Sequence, residues 1–240
     1  MKLFRGSAAR TIAALVVVAF FTSACQTTAV YTNDALKRSE DRVRLLVMPM
    51  DVELSEVSLG GVTTIRADWT GAANQHLEKS LADFLAERKV DIITYVPPQS
   101  DPDITSHNEQ LVKLFTAVGS AISVHHYVPA FALPSKGEAF DWSMGETVKS
   151  LGERYNADYA LFITVKDSYA TAERAAAVAV AAILFGVALQ GGVQFGVAAL
   201  VDLHTGEFAW FNQLARTAGD IRTAKPAKET LTSLMLEFPK

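Results

Sequence analysis

Cys25 is the only cysteine in 240 residues, and it follows three small side chains, Thr22-Ser23-Ala24. A thiolate is a strong nucleophile, and small residues before it leave an extended backbone open to a processing enzyme. The other reactive groups are sparser. Of five histidines, His125 and His126 are adjacent, and in a strand they would point to opposite faces, so they are not expected to chelate one ion together. His76 with Glu78, and His107 with Glu109, are two residues apart on expected helices, a spacing that does not share a face. Neither a metal site nor a cofactor is expected. Asp51, Asp101 and Asp103 supply carboxylates that loop and cap positions account for. The chain has no Gly-x-Ser-x-Gly elbow, no serine followed three residues later by lysine, and no phosphate-cradling glycine loop. It is therefore expected not to be an enzyme. A hydrolase with an unrecognised site is the catalytic alternative, with Asp51, His125 and His126 as the residues to replace. Trp69, Trp142 and Trp210 could line a groove, although amphipathic tryptophan more often seals the edge of a core.

The residues before Cys25 suggest its chemistry. Lys2, Arg5 and Arg10 precede an uncharged apolar run from Ile12 to Phe21, the layout of a secretory leader over residues 1–24. The Thr22-Ser23-Ala24-Cys25 motif resembles the lipobox of bacterial lipoproteins, with Thr22 where that family usually carries leucine. The resemblance implies that Cys25 receives a diacylglyceride and becomes the acylated first residue of the mature chain. Gln26 follows where a lipoprotein retained in the inner membrane would carry aspartate, so the family rule points to the periplasmic face of the outer membrane. Removing residues 1–24 takes away three basic residues and leaves 19 basic against 26 acidic, a formal charge of −7. Such a chain has no electrostatic reason to bind nucleic acid. Its hold on the membrane would be through the lipid.

Stepping along the mature chain, residues 25–40 are polar and are expected to be a lipidated tether, with a single α/β domain over residues 41–240. Val43 to Val47 has the composition of an interior strand stopped by Pro49. Trp69, Ala73, Leu77, Leu81, Phe84 and Leu85 recur at helical spacing, and Val90 to Val96 reads as a second strand. Ser106 to Glu109 has the spacing of a capping box that opens a helix through Ile122. A second such box, Ser143 to Glu146, opens a helix that closes at Asn156. Tyr159 to Val165 is apolar on both faces and belongs in the middle of a sheet. Phe195 to Leu203 and Phe208 to Phe211 flank Gly206 and read as a β-hairpin, and Leu231, Leu234, Met235 and Phe238 make a closing helix. The expected fold class is α/β (α+β): one mixed sheet of about five strands flanked by helices in two or three layers, with a C-terminal β-hairpin and closing helix.

Fifteen consecutive apolar residues run from Ala175 to Leu189. As a helix they would span about 22 Å, short of a hydrocarbon layer of about 30 Å. The favoured reading is a helix packed on the sheet or in an oligomer contact. One alternative is an exposed partner-binding helix. The other is a hairpin turning at Gln190-Gly191-Gly192 that pairs this stretch with Val193 to Val201 and enters a membrane within an oligomeric barrel, although alanine favours helix over strand.

Ala199-Leu200-Val201-Asp202-Leu203-His204-Thr205-Gly206-Glu207-Phe208-Ala209-Trp210, with Ala157-Asp158-Tyr159-Ala160-Leu161-Phe162 before it, resembles periplasmic α/β domains. It is similar to the domains of the curli-secretion lipoprotein CsgG, the penicillin-binding-protein activator LpoB and the N-terminal domain of TolB. The likeness implies an architecture and a binding habit, since the hairpin carries no reactive group. The functional expectation is an outer-membrane-anchored periplasmic lipoprotein that acts by protein–protein contact in envelope assembly, export or cell-wall maintenance. A subunit of an oligomeric outer-membrane secretion channel is the second reading. Partners are then envelope proteins, with a homo-oligomer left open.

Overall fold

The run Tyr159-Ala160-Leu161-Phe162-Ile163-Thr164-Val165 is buried along its whole length and forms the middle of the molecule. The computed structural model describes residues 26–32, 43–88, 90–98, 101–137, 139–185 and 192–239. The leader, Cys25 and residues 33–42 lie outside the described residues, as do 186–191. The strands are β1 (Gln26–Thr32), β2 (Arg44–Val47), β3 (Asp51–Val57), β4 (Thr63–Ile65), β5 (Asp91–Thr94), β6 (Tyr159–Ala170), β7 (Gln194–Asp202) and β8 (Phe208–Arg216). All eight join one mixed sheet in the order β1-β8-β7-β6-β2-β5, with β3 continuing along β6 beyond β2, and β4 on the outer edge of β3. The α/β class is as expected, and the sheet has eight strands among the described residues where five were expected.

The helices are α1 (Ala67–Ala86), α2 (Pro102–His125), α3 (Lys149–Tyr155), α4 (Ala172–Phe185) and α5 (Ala224–Leu234). Strand alternation divides the core in two, giving three layers. Leu45, Leu54, Leu161, Ile163 and Leu200 face Leu77 and Leu81 of α1 and Leu231 of α5. Leu46, Phe162, Val197, Ala199 and Phe211 face Leu111, Phe115 and Ile122 of α2 and Leu151 of α3. Phe115 stacks on Phe162 with ring centroids 5.1 Å apart. Gly119 lets α2 approach the sheet closely, since a Cβ there would sit 3.2 Å from a Val197 methyl.

Several local expectations change. Residues 25–40 were expected to be a tether, but Gln26–Thr32 pairs antiparallel with β8 over all seven residues. Thr27, Thr28, Val30, Tyr31 and Thr32 suit a half-buried edge strand, and that preference outweighs the stretch's overall polarity. The acidic residues Asp51, Glu53 and Glu56 hid β3, although Leu54 is fully buried. Helix α2 begins earlier than the capping box indicated: Asp101 caps it by accepting from the Ile104 N–H at 3.1 Å, with Pro102 in the first turn. Ser106 instead accepts a hydrogen bond from Gln110 inside the helix. Ser143 serves the turn, accepting from the Gly145 N–H and donating to the Gly206 carbonyl. Asn156 adopts the left-handed helix end as expected, with φ 50°. Gly206 likewise turns the β7–β8 hairpin with φ 79°.

The first part of the Ala-rich segment belongs to helix α4, whose residues 172–181 are mostly exposed rather than packed on the sheet. Residues 186–189 and the Gln190-Gly191 turn lie outside the described residues. Val193 to Val201 does not pair with this stretch, because β7 has β6 on one side and β8 on the other. No helix among the described residues is long and apolar enough to cross a membrane.

Candidate functional site

Five residues from different strands stand directly opposite one another at one end of the sheet: Leu54, Asp167, Gln194, Arg216 and Gln26, in that order. Gln26 is the residue after Cys25. The same end carries the last residues of β3 and β6, and the opposite end carries the β7–β8 turn. Strand spacing puts Gln26 about 14 Å from Asp167 across three ladder steps.

Asp167, Gln194 and Arg216 are buried polar residues on the face covered by α5. Asp167 accepts from the Tyr169 hydroxyl at 2.6 Å, from Gln194 Nε2 at 2.6 Å and from the Ser168 N–H at 2.8 Å. Gln194 Oε1 accepts from Thr230 of α5 at 2.7 Å, and the Tyr169 oxygen accepts from the Ile221 N–H at 3.0 Å. Burial pushes the Asp167 carboxyl above its ordinary range and outweighs these donors and the nearby Arg216 guanidinium, which act the other way. Burial, reinforced by the Asp167 carboxylate, also raises the Tyr169 phenol. Both Asp167 oxygens are engaged within the fold. The network therefore braces β6, β7, α5 and the loop after β8, and does not present a free acid.

Beside it opens a cleft of about 410 Å³ lined by Ser168, Tyr169, Gly192, Thr217, Asp220 and Arg222 among others. Arg222 is held by Asp220 at 2.7 Å and lies over both the Trp69 and Tyr169 rings, at 4.3 and 4.2 Å from their centroids. The hydrogen bond from Arg222 keeps Asp220 below the usual carboxylate range despite partial burial. Each charge on this rim has a partner.

The residues singled out from sequence do not converge here. Asp51 pairs with Lys113 at 2.7 Å and with the Thr116 hydroxyl at 2.9 Å; burial opposes the charge, but these two partners hold the carboxyl below its ordinary range. His125 and His126 would diverge in a strand, and the sequence favours solvated or helix-end positions for them. They stand at the end and C-cap of α2, where His125 Nδ1 meets the Phe131 carbonyl at 2.8 Å and His126 sits edge-on to Tyr127 and Phe140. Among the described residues no three His, Cys, Asp or Glu side chains gather where they could hold a metal ion. The tryptophans share no groove. Trp210 is fully buried against Phe238, Trp69 lies between Arg66 and Arg222, and Trp142 is covered by Lys136. The reading from sequence missed Asp167, Gln194 and Arg216. The only signal in the sequence was a polar residue at or near the edge of each apolar run, on three strands.

No protein-family model matches the chain, and no curated protein sequence matches it. Solved structures similar to it include two of PelC dodecamers from Paraburkholderia phytofirmans. One is 14% identical, covers 88% of this chain and 96% of that one, and has a TM-score of 0.39. The other is 13% identical, covers 88% and 95%, and has a TM-score of 0.40. Lipoprotein GNA1162 from Neisseria meningitidis is 14% identical over 81% of this chain and 94% of that one, with a TM-score of 0.32.

Proposed function

We propose that this chain is a lipoprotein anchored by Cys25 in the outer membrane, facing the periplasm, and that it acts by protein–protein contact in envelope assembly, export or cell-wall maintenance. The observation that carries the reading is Thr22-Ser23-Ala24-Cys25 at the end of a basic-then-apolar leader. Two features of the fold support it. The described chain enters the sheet at Gln26, so an acylated neighbour would fasten a folded body directly to a leaflet. The side chains considered for catalysis are spent on caps, ion pairs and braces at separate places, which favours contact over turnover. Partners are envelope proteins recognised by the acidic mature domain, and a homo-oligomer is compatible with this role.

Intact mass of the mature protein tests the anchor: Cys25 is expected to be the first residue and to carry acyl chains, and the Cys25→Ser chain is expected to leave the outer-membrane fraction. An unmodified terminus on a chain that still fractionates with outer membranes would refute the reading. Crosslinking in intact cells then identifies the partner, and native mass in detergent distinguishes a ring of many subunits from a monomer or dimer.

A further inference from the structure

The end of the sheet that carries Gln26 also gathers exposed apolar side chains. Residue Val57 of β3 stands opposite Ala170 of β6 there. The loop after β3 exposes Leu59 by 59% and Val62 by 65%, and Ile65 on β4 is 62% exposed. Helix α4 leaves the same end, its start tied to that loop by the Thr171 N–H on the Val57 carbonyl at 3.0 Å and by Arg174 Nη1 on the Ser58 carbonyl at 3.4 Å. Over residues 172–181 its charges are confined to Glu173 and Arg174, and the rest are Ala and Val, with Val180 54% exposed. Val193, just before β7, is 40% exposed at the same end. Soluble surface helices turn a polar face to water, and residues 175–181 of α4 offer none. Contiguous exposed apolar groups mark a surface that something covers.

The covering body follows from where the chain is tied down. One extended residue spans at most about 3.6 Å, so Gln26 stands within that reach of the acylated Cys25. No spacer separates them, and the row from Gln26 to Asp167 crosses the sheet in about 14 Å. The Gln26 corner of this end is therefore held near the headgroup layer by the anchor, and the β3–β4 loop lies along the same end four to five strand spacings, about 19–24 Å, away. We infer that helix α4 and the Leu59–Val62 loop are a second membrane contact, with their apolar side chains seated in the lipid leaflet that holds Cys25. The inference rests on the anchor reading and adds to it an orientation: the sheet stands end-on to the membrane with the Gly206 turn farthest from it. One lipid anchor alone would leave the body free to swivel; two contacts fix it.

The test uses the mature acylated chain in vesicles of phosphatidylethanolamine and phosphatidylglycerol, prepared with and without bromines on the acyl chains. Tryptophan is introduced as Val180→Trp on the helix, as Leu59→Trp on the loop, and as Thr205→Trp at the far turn. The unsubstituted chain supplies the background of Trp69, Trp142 and Trp210. The added fluorescence at 180 and 59 is expected to be largely lost in brominated vesicles, and that at 205 to be retained. If the chain floats with the vesicles, carries acyl groups on Cys25, and shows no more quenching at 180 than at 205, the second contact is wrong while the anchor stands. Leu59→Trp gives the same decision if the helix variant does not fold. A chain whose Cys25 carries no acyl group overturns both.

Discussion

Replacing Asp167 with alanine tests whether the buried polar row is a brace. Asp167 is 5% exposed, Gln194 2% and Thr230 0%, so water does not compensate for a lost partner. Asp167→Ala removes the acceptor of three hydrogen bonds and leaves two donors without it, the buried Gln194 Nε2 and the half-buried Tyr169 hydroxyl. An orphaned buried donor costs about 1–3 kcal/mol, which sets the expected loss at about 3 kcal/mol after the relief of burying a carboxyl. In a chain of this length that lowers Tm by roughly 6–12 °C. Urea unfolding followed by tryptophan fluorescence measures it, and Trp69, whose ring lies 5.7 Å from that of Tyr169, reports the same region. Because the groups share one chain of bonds, the double variant Asp167→Ala with Gln194→Ala is expected to lose less than the sum of the singles, by about 1 kcal/mol. A loss under about 0.5 kcal/mol for Asp167→Ala, with strict additivity in the pair, would show that the row does not hold the sheet to α5.

Four further outcomes follow from the same geometry. Asp158 is held below the ordinary aspartate range by Arg44, which reaches it through both its guanidinium and its backbone N–H at 2.9 Å. The stability it confers is present above the unfolded aspartate value and is lost as pH falls through the lower folded one, so Asp158→Asn should flatten the acid limb of a stability–pH curve; equal limbs would contradict this. Asp167, with its raised carboxyl, has the opposite sign and weakens the fold as pH rises through its unfolded and then its folded value. Gly206→Ala places a Cβ onto the Gly145 carbonyl at a φ of 79°, and calorimetry should show a loss of about 1–3 kcal/mol. Phe115→Ala empties the contact with Phe162 beneath α2, at an expected cost of about 3–5 kcal/mol by urea unfolding, and a smaller loss would mean that the site collapses around the gap.

The elements legible in the sequence are those whose burial is settled within the element. Tyr159 to Val165 is apolar on both faces because sheet neighbours and helices cover it on every side, and α1 shows its buried stripe at Ala73, Leu77, Leu81 and Leu85. Strands β1 and β4 were not legible because they sit at edges, and β3 because only the three-residue β4 flanks it outside; there threonine and glutamate are tolerated and the fold is decided by a neighbour far along the chain. Gln26 finds Arg216 across 190 residues, and no local pattern encodes that meeting. The candidate site was hidden for the same reason. Asp167, Gln194 and Arg216 look like ordinary polar punctuation until strand register sets them side by side. The proposed site at Cys25 is of a different kind, since its signal is a linear motif that needs no fold to be read.

The seven-residue ladder between β1 and β8 also has a mechanical meaning. A pull applied at Cys25 runs along the axis of β1, so its rungs are loaded together in shear and are not peeled one by one from a free end. Were the chain anchored as proposed above, tension between membrane and body would pass into β8 and the sheet interior. A swelling or shifting envelope would then drag the whole domain with it before the first strand let go.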